Sequence, residues 1–235
     1  FNNTVINNDN LATADIFIDG IVTINTLVSN VILNINVDEL NMLNNTLESI
    51  TLNNQSDVDI LNVESTLLSN ITVETGSNNI INALTSVATL TMDTVGVNEI
   101  NLNGINLNDI TFNSVGATIN LENNVSLLNG DIIASDVIVD NSNLDSFILT
   151  DTSEVSNILD LSLAGNMNNI SLGNALIGTV VFVTNDVNLV IDGANVGTYD
   201  ITGLNITNLT IDAPSSSIIL VSNAITINAD IIIDD

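Results

Sequence analysis

Residues 50–63 read ITLNNQSDVDILNV, and this stretch decides the fold. It opens on an apolar-Thr-apolar triplet, Ile50-Thr51-Leu52, and closes on an apolar-Asn-apolar triplet, Leu61-Asn62-Val63. Both triplets return along the chain. Ile71-Thr72-Val73, Leu90-Thr91-Met92 and Ile110-Thr111-Phe112 repeat the first, with successive threonines 21, 19 and 20 residues apart. Ile81-Asn82-Ala83, Ile100-Asn101-Leu102 and Ile119-Asn120-Leu121 repeat the second, with asparagines 20, 19 and 19 apart. Ile170-Ser171-Leu172, Leu189-Val190-Ile191 and Leu209-Thr210-Ile211 carry the first series onward.

Apolar-polar-apolar alternation marks strands with one buried face. The segments between are Asn, Ser, Asp and Gly, residues that form turns. Pro214, the single proline, sits in a loop-like stretch from Asp212 to Ser217. No long 3.6-residue pattern appears, and β-branched residues and Asn dominate, which disfavours helix.

Strands every ten residues suit either an antiparallel meander or a coil of two strands and two arcs. The same residue type returns every twenty positions, not every ten, which selects the coil. In a coil these positions stack about 4.8 Å apart, like upon like. The expected fold is therefore all-β: a parallel β-helix-like solenoid of about twelve coils of about 20 residues, two short strands in each. Its rod would be roughly 55 Å long. Residues 1–235 read as one domain, with longer arcs around 137–169, where Asp140, Asp145, Asp151 and Glu154 break the rhythm. Ile50, Leu52, Ile71, Val73, Leu90, Met92, Ile110 and Phe112 should face the core from one wall. Leu61, Val63, Ile81, Ile100, Leu102, Ile119 and Leu121 should face it from the other.

The outward residues form two expected stacking ladders. Asn62, Asn82, Asn101 and Asn120 make an amide column; Thr51, Thr72, Thr91 and Thr111 make a hydroxyl column. Amide ladders strengthen in-register stacks. A threonine lattice for ice would need two outward threonines per strand, and most strands here offer one.

Composition removes most chemistry. The chain has no Lys, Arg, His or Cys, against 28 Asp plus Glu. Phosphate clamps, Schiff-base lysines, histidine bases and thiolate nucleophiles are all missing. Nucleic acid is excluded as a direct partner, because its affinity rests on Lys and Arg at phosphates. Oxygen ligands remain, and they suit calcium. Asp57 and Asp59 share a face if extended, while Asn129-Gly130-Asp131 and Asp192-Gly193 read as turns presenting oxygens. Magnesium would suit the same ligands, but no EF-hand loop or Gly-rich calcium repeat accompanies them, so no cofactor is required and Ca2+ stands as a candidate ion. No carboxylate pair is marked out for glycoside cleavage, and aromatics are 3% of the chain. The expectation is no enzymatic activity.

No stretch reads as a membrane span. Phe1 in place of Met leads us to expect a removed leader, and a chain without Lys or Arg offers trypsin-like proteases no site. Both fit an extracellular, cell-surface location. Sequons at Asn70, Asn169 and Asn208 recur just before the first strand of a coil and are expected glycosylation positions on the arcs. At the ends, Thr4-Val5-Ile6 and Ile231-Ile232-Ile233 are strand-like runs without a capping helix, which should act as assembly edges.

The Ile-Thr-Leu and Ile-Asn-Leu coils, roughly Ile50 to Ile227, resemble the repetitive β-solenoid proteins of prokaryotic surfaces. These include filamentous adhesins and the amyloid-like sheath proteins that encase some methanogenic archaea. The resemblance implies a structural extracellular role and carries no functional residue. The expected function is a subunit that self-assembles by strand stacking into a filament, sheath or coat, its partner being itself, with divalent cations and glycans as further partners. An adhesin or surface-binding stalk is the alternative, and a carbohydrate-active β-helix enzyme the second alternative.

Overall fold

A computed structural model describes residues 3–43, 46–53, 56–74, 79–104, 106–125, 127–164, 169–182, 188–200, 208–212 and 220–221. The strands within them are β1 (Asn3–Asn7), β2 (Thr13–Phe17), β3 (Ile21–Asn25), β4 (Asn30–Leu43), β5 (Ser49–Leu52), β6 (Asp57–Glu64), β7 (Asn70–Val73), β8 (Asn79–Thr85), β9 (Thr89–Thr94) and β10 (Val97–Gly104). There follow β11 (Asp109–Asn113), β12 (Thr118–Asn123), β13 (Leu127–Asn141), β14 (Ser146–Leu149), β15 (Glu154–Ala164), β16 (Asn169–Phe182), β17 (Asn188–Asp200), β18 (Asn208–Asp212) and β19 (Leu220–Val221). The described residues contain no helix.

Every pairing among them is parallel and joins strands about one coil apart, such as Leu61 with Ile81 and Ile81 with Ile100. Two walls result. One is built from β2, the first half of β4, β5, β7, β9, β11, the first half of β13, β14 and the start of β16. The other is built from β1, β3, the second half of β4, β6, β8, β10, β12, the second half of β13 and β15. The protein is a β-solenoid, and from β3 to β16 the chain completes about eight turns. Twelve coils were expected from the sequence; beyond Asp200 only β18 and β19 are described.

The walls face each other across a dry core. All fifteen residues expected to point inward are buried, from Ile50 at 0% exposed to Ile110 at 4%. Phe112 and Phe147 are the largest side chains wholly enclosed. Burying each such side chain favours folding by roughly 1.5–3 kcal/mol. Parallel pairing in a coil lets both walls bury one face while the other stays wet.

Several corners close with a backbone bond from the N–H of residue i+3 to the carbonyl of residue i, as in Ala117 N to Ser114 O at 3.0 Å. At this corner Gly116 has φ +83° and Val115 is exposed; Gly96, twenty residues earlier, has φ +76° beside exposed Val95. A side chain would disfavour that left-handed backbone.

Around 137–169, where longer arcs were expected, extra residues enter the wall as bulges. Asp136 pairs with Ile158 and Asp140 with Leu163, and the register shifts between Ala134 and Asp136 and between Ile138 and Asp140.

Candidate assembly surfaces

The outer face of the second wall carries the asparagines. Asn82 Nδ2 donates to Asn62 Oδ1 at 2.7 Å, Asn101 to Asn82 at 3.0 Å and Asn120 to Asn101 at 2.8 Å. The column begins one coil before the expected four, because Asn62 also donates to Asn41 at 2.9 Å. Leu40-Asn41-Met42 fits the same triplet, so the signal was present in the sequence. A carboxylate anchors the ladder: Glu39 accepts from Asn41 at 3.1 Å and from Asn62 at 3.0 Å. It stops where Asn120 meets Ile138.

The threonines behave differently. Thr51 pairs with Thr72, and Thr91 with Thr111. Between these pairs the wall slips by two positions, so that Thr72 faces Asp93 and Asn70 faces Thr91. The four threonines are therefore two pairs and not one column. Spacing alone misled, because the coil joining β7 to β9 takes 21 residues between paired positions and not the 19 that separate the threonines.

A third column was missed. Thr26, Ser65, Thr85, Asn123 and Asn141 are buried polar residues at the corner that follows the second wall. Thr85 Oγ1 donates to Leu68 O at 2.7 Å, Asn123 Nδ2 to Leu107 O at 3.3 Å and Asn141 Nδ2 to Val125 O at 2.7 Å. Each ties a corner to the one before it. Ser65, Thr85 and Asn123 lie three residues after ladder asparagines, a spacing that could have revealed them.

The carboxylates are arranged to tolerate a chain without cations. Acids stacked on acids at about 4.8 Å would repel by on the order of 1–3 kcal/mol per pair. Neutral donors sit there instead. Asp93 accepts from Asn113 at 3.0 Å, Asp109 from Asn129 at 2.8 Å and Asp131 from Thr150 at 2.8 Å. Among the described pairings, acid lies opposite acid only at Glu122–Asp140 and Asp192–Asp212. Glu122 and Asp140 rim a groove of about 560 Å³ that runs beside the asparagine ladder, with Leu43, Leu84 and Leu163 among its lining.

Other expected positions move. Asn129-Gly130-Asp131 lies inside β13 and Asp192-Gly193 inside β17, so both are strand and not turn; the pleat continues because neighbouring strands pair with them on the wall. Asp57 and Asp59 both belong to β6. Asn70, Asn169 and Asn208 are the first residues of β7, β16 and β18, on the wall and not in the arcs. Asn70 is half-buried, and its Oδ1 accepts from the Thr72 hydroxyl at 3.1 Å. Thr4, Val5 and Ile6 lie in β1, which pairs on one side only among the described residues. Val5 is 54% exposed there. Ile231, Ile232 and Ile233 lie outside the described residues. No group of three or more acids able to hold a metal ion occurs among the described residues.

Comparison of the chain with family models, with curated proteins and with solved structures gave no match.

Proposed function

We propose that this chain is a structural, non-enzymatic subunit that self-assembles by strand stacking into an extracellular filament, sheath or coat. One observation carries the reading: each coil is a parallel, in-register template for the next, and among the described residues β1 still has a side with no strand upon it. Open strand edges recruit further strands unless blocked by charge, proline or a cap. The sequence of β1, Asn-Thr-Val-Ile-Asn, has no charge or proline to block addition. If residues beyond β16 continue the stack to about twelve coils, the rod is roughly 55 Å long. Negative-stain microscopy of the purified protein tests this: ordered fibres or tubes are expected, and discrete short rods would refute it.

The groove beside the asparagine ladder favours a second reading, a binding module on a surface stalk. That reading expects discrete rods in the same images.

A further inference from the structure

The groove beside the asparagine ladder lies on the side of the rod, across the outer face of the second wall. One border is a row of residues that pair from strand to strand, starting at Leu43 in β4 and ending at Leu163 in β15. Between them the row passes through Glu64, Leu84, Glu122 and Asp140. Leu43 and Leu163 are 55% and 56% exposed, so the groove offers apolar surface at both ends. From β4 through β6, β8, β10, β12 and β13 to β15 the row climbs six coil steps, about 29 Å at 4.8 Å per step.

The acids in this row break a habit of the molecule. Asp93, Asp109 and Asp136 each have an amide donor on the neighbouring coil, supplied by Asn113, Asn129 and Asn157. Glu122 and Asp140 instead stack acid on acid, both exposed, on the rim of the groove. With Glu64 they give an apolar groove a negative border, which is complementary to an occupant with apolar side chains and bases. Residues 1–235 contain no Lys, Arg or His, so a second copy of them cannot supply those bases.

The walls also decide the form of the occupant. β6, β8, β10 and β12 are each paired on both sides, so their backbone groups are spent within the wall. A strand laid across them would find no ladder to join. A helix satisfies its own backbone and needs only a side-chain groove. Leu43 and Leu84 lie two coil steps apart, about 10 Å, close to the heptad rise of an α-helix, about 10.5 Å. A helix of about 19 residues spans the whole row.

We propose that this groove docks a basic amphipathic helix supplied by a different protein, its apolar stripe on the leucines and its bases over Glu64, Glu122 and Asp140. This gives the binding reading of the groove its partner and does not depend on self-assembly.

The probe is a labelled Leu/Lys amphipathic peptide of about 19 residues, titrated against the whole chain with fluorescence anisotropy at physiological salt. Glu122→Gln with Asp140→Asn should weaken binding about tenfold or more. Asp93→Asn with Asp109→Asn removes the same charge from the other wall, keeps the oxygens that accept from Asn113 and Asn129, and should change affinity less than about twofold. Leu43→Ser with Leu163→Ser should weaken the peptide about fivefold or more, and both leucines are exposed enough for the fold to survive their loss. Equal losses from the two acid pairs would show attraction to a polyanion at large and overturn the proposal. Equally tight binding of a control peptide with Ser for every Leu, or displacement by spermine at matched charge, would reduce the groove to a site for small cations and overturn it too. Failure of the peptide to bind leaves self-assembly standing, and discrete rods that bind it leave this inference standing.

Discussion

Asn82 Nδ2 lies 2.7 Å from Asn62 Oδ1, and the two residues are twenty positions apart in the chain. Asn82 in turn accepts from Asn101 at 3.0 Å. Replacing Asn82 by Ala removes both bonds: the half-buried Asn62 loses the donor to its Oδ1, while Asn101 keeps its bonds to Glu99 and Asn120. The expected loss is about 1–2 kcal/mol of unfolding free energy, read from chemical denaturation. An unchanged midpoint would mean that the ladder merely decorates the wall.

The corner column should matter more per residue than the ladder, because it is dry. Thr85 is 0% exposed and its hydroxyl donates to Leu68 O at 2.7 Å. Thr85→Val keeps the shape and strands a buried carbonyl, for an expected cost of about 1–3 kcal/mol. Thr89→Val, on the exposed start of β9, is the comparison and should change stability little. Equal effects of the two substitutions would refute the corner role.

Gly116 isolates a backbone effect. An added Cβ there would meet nothing within 4 Å, so space is not the constraint. Its φ of +83° is, and Gly116→Ala should destabilise by about 1 kcal/mol. Gly178→Ala is a different experiment, since its Cβ would lie 2.4 Å from Asn157 O and must displace the backbone of β15. A larger drop in melting temperature is expected for Gly178→Ala than for Gly116→Ala, and the reverse order would contradict this account.

Charge sets the last prediction. With 28 acids and no basic side chain, copies repel at neutral pH. Acidification or millimolar calcium should shift protein into the pellet on sedimentation, and chelation should release it. Glu122→Gln relieves one of the few acid-on-acid registers and should raise the melting midpoint of the unassembled protein. Sedimentation indifferent to acid, calcium and chelator would count against the repulsion argument.

The solenoid was legible because burial has a period of two on each wall and the walls recur at about twenty residues. Ile50 and Leu52 on one side, Leu61 and Val63 on the other, were enough to assign the core. The asparagine ladder was legible for the same reason, since its four spacings match the lengths of the coils that join them. The threonine column was not, because a spacing of nineteen between Thr72 and Thr91 says nothing about whether a corner absorbs two further residues. Asn129-Gly130-Asp131 was misread for a related reason. Turn-forming residues lose that meaning where paired strands flank them on both sides, as β11 and β14 flank this part of β13. The small polar corner residues hid in a composition already rich in Ser, Thr and Asn.

Coil length varies in this molecule without loss of parallel pairing: Ile21 to Glu39 spans 18 residues and Ser146 to Asn169 spans 23. The difference is taken up at bends and bulges, so the walls remain aligned. Tandem duplication or deletion of one whole winding is therefore expected to be nearly silent for folding. Gene-level recombination between windings would change the length of the rod in steps of about 4.8 Å, giving a lineage a ruler it can lengthen or shorten without inventing new contacts.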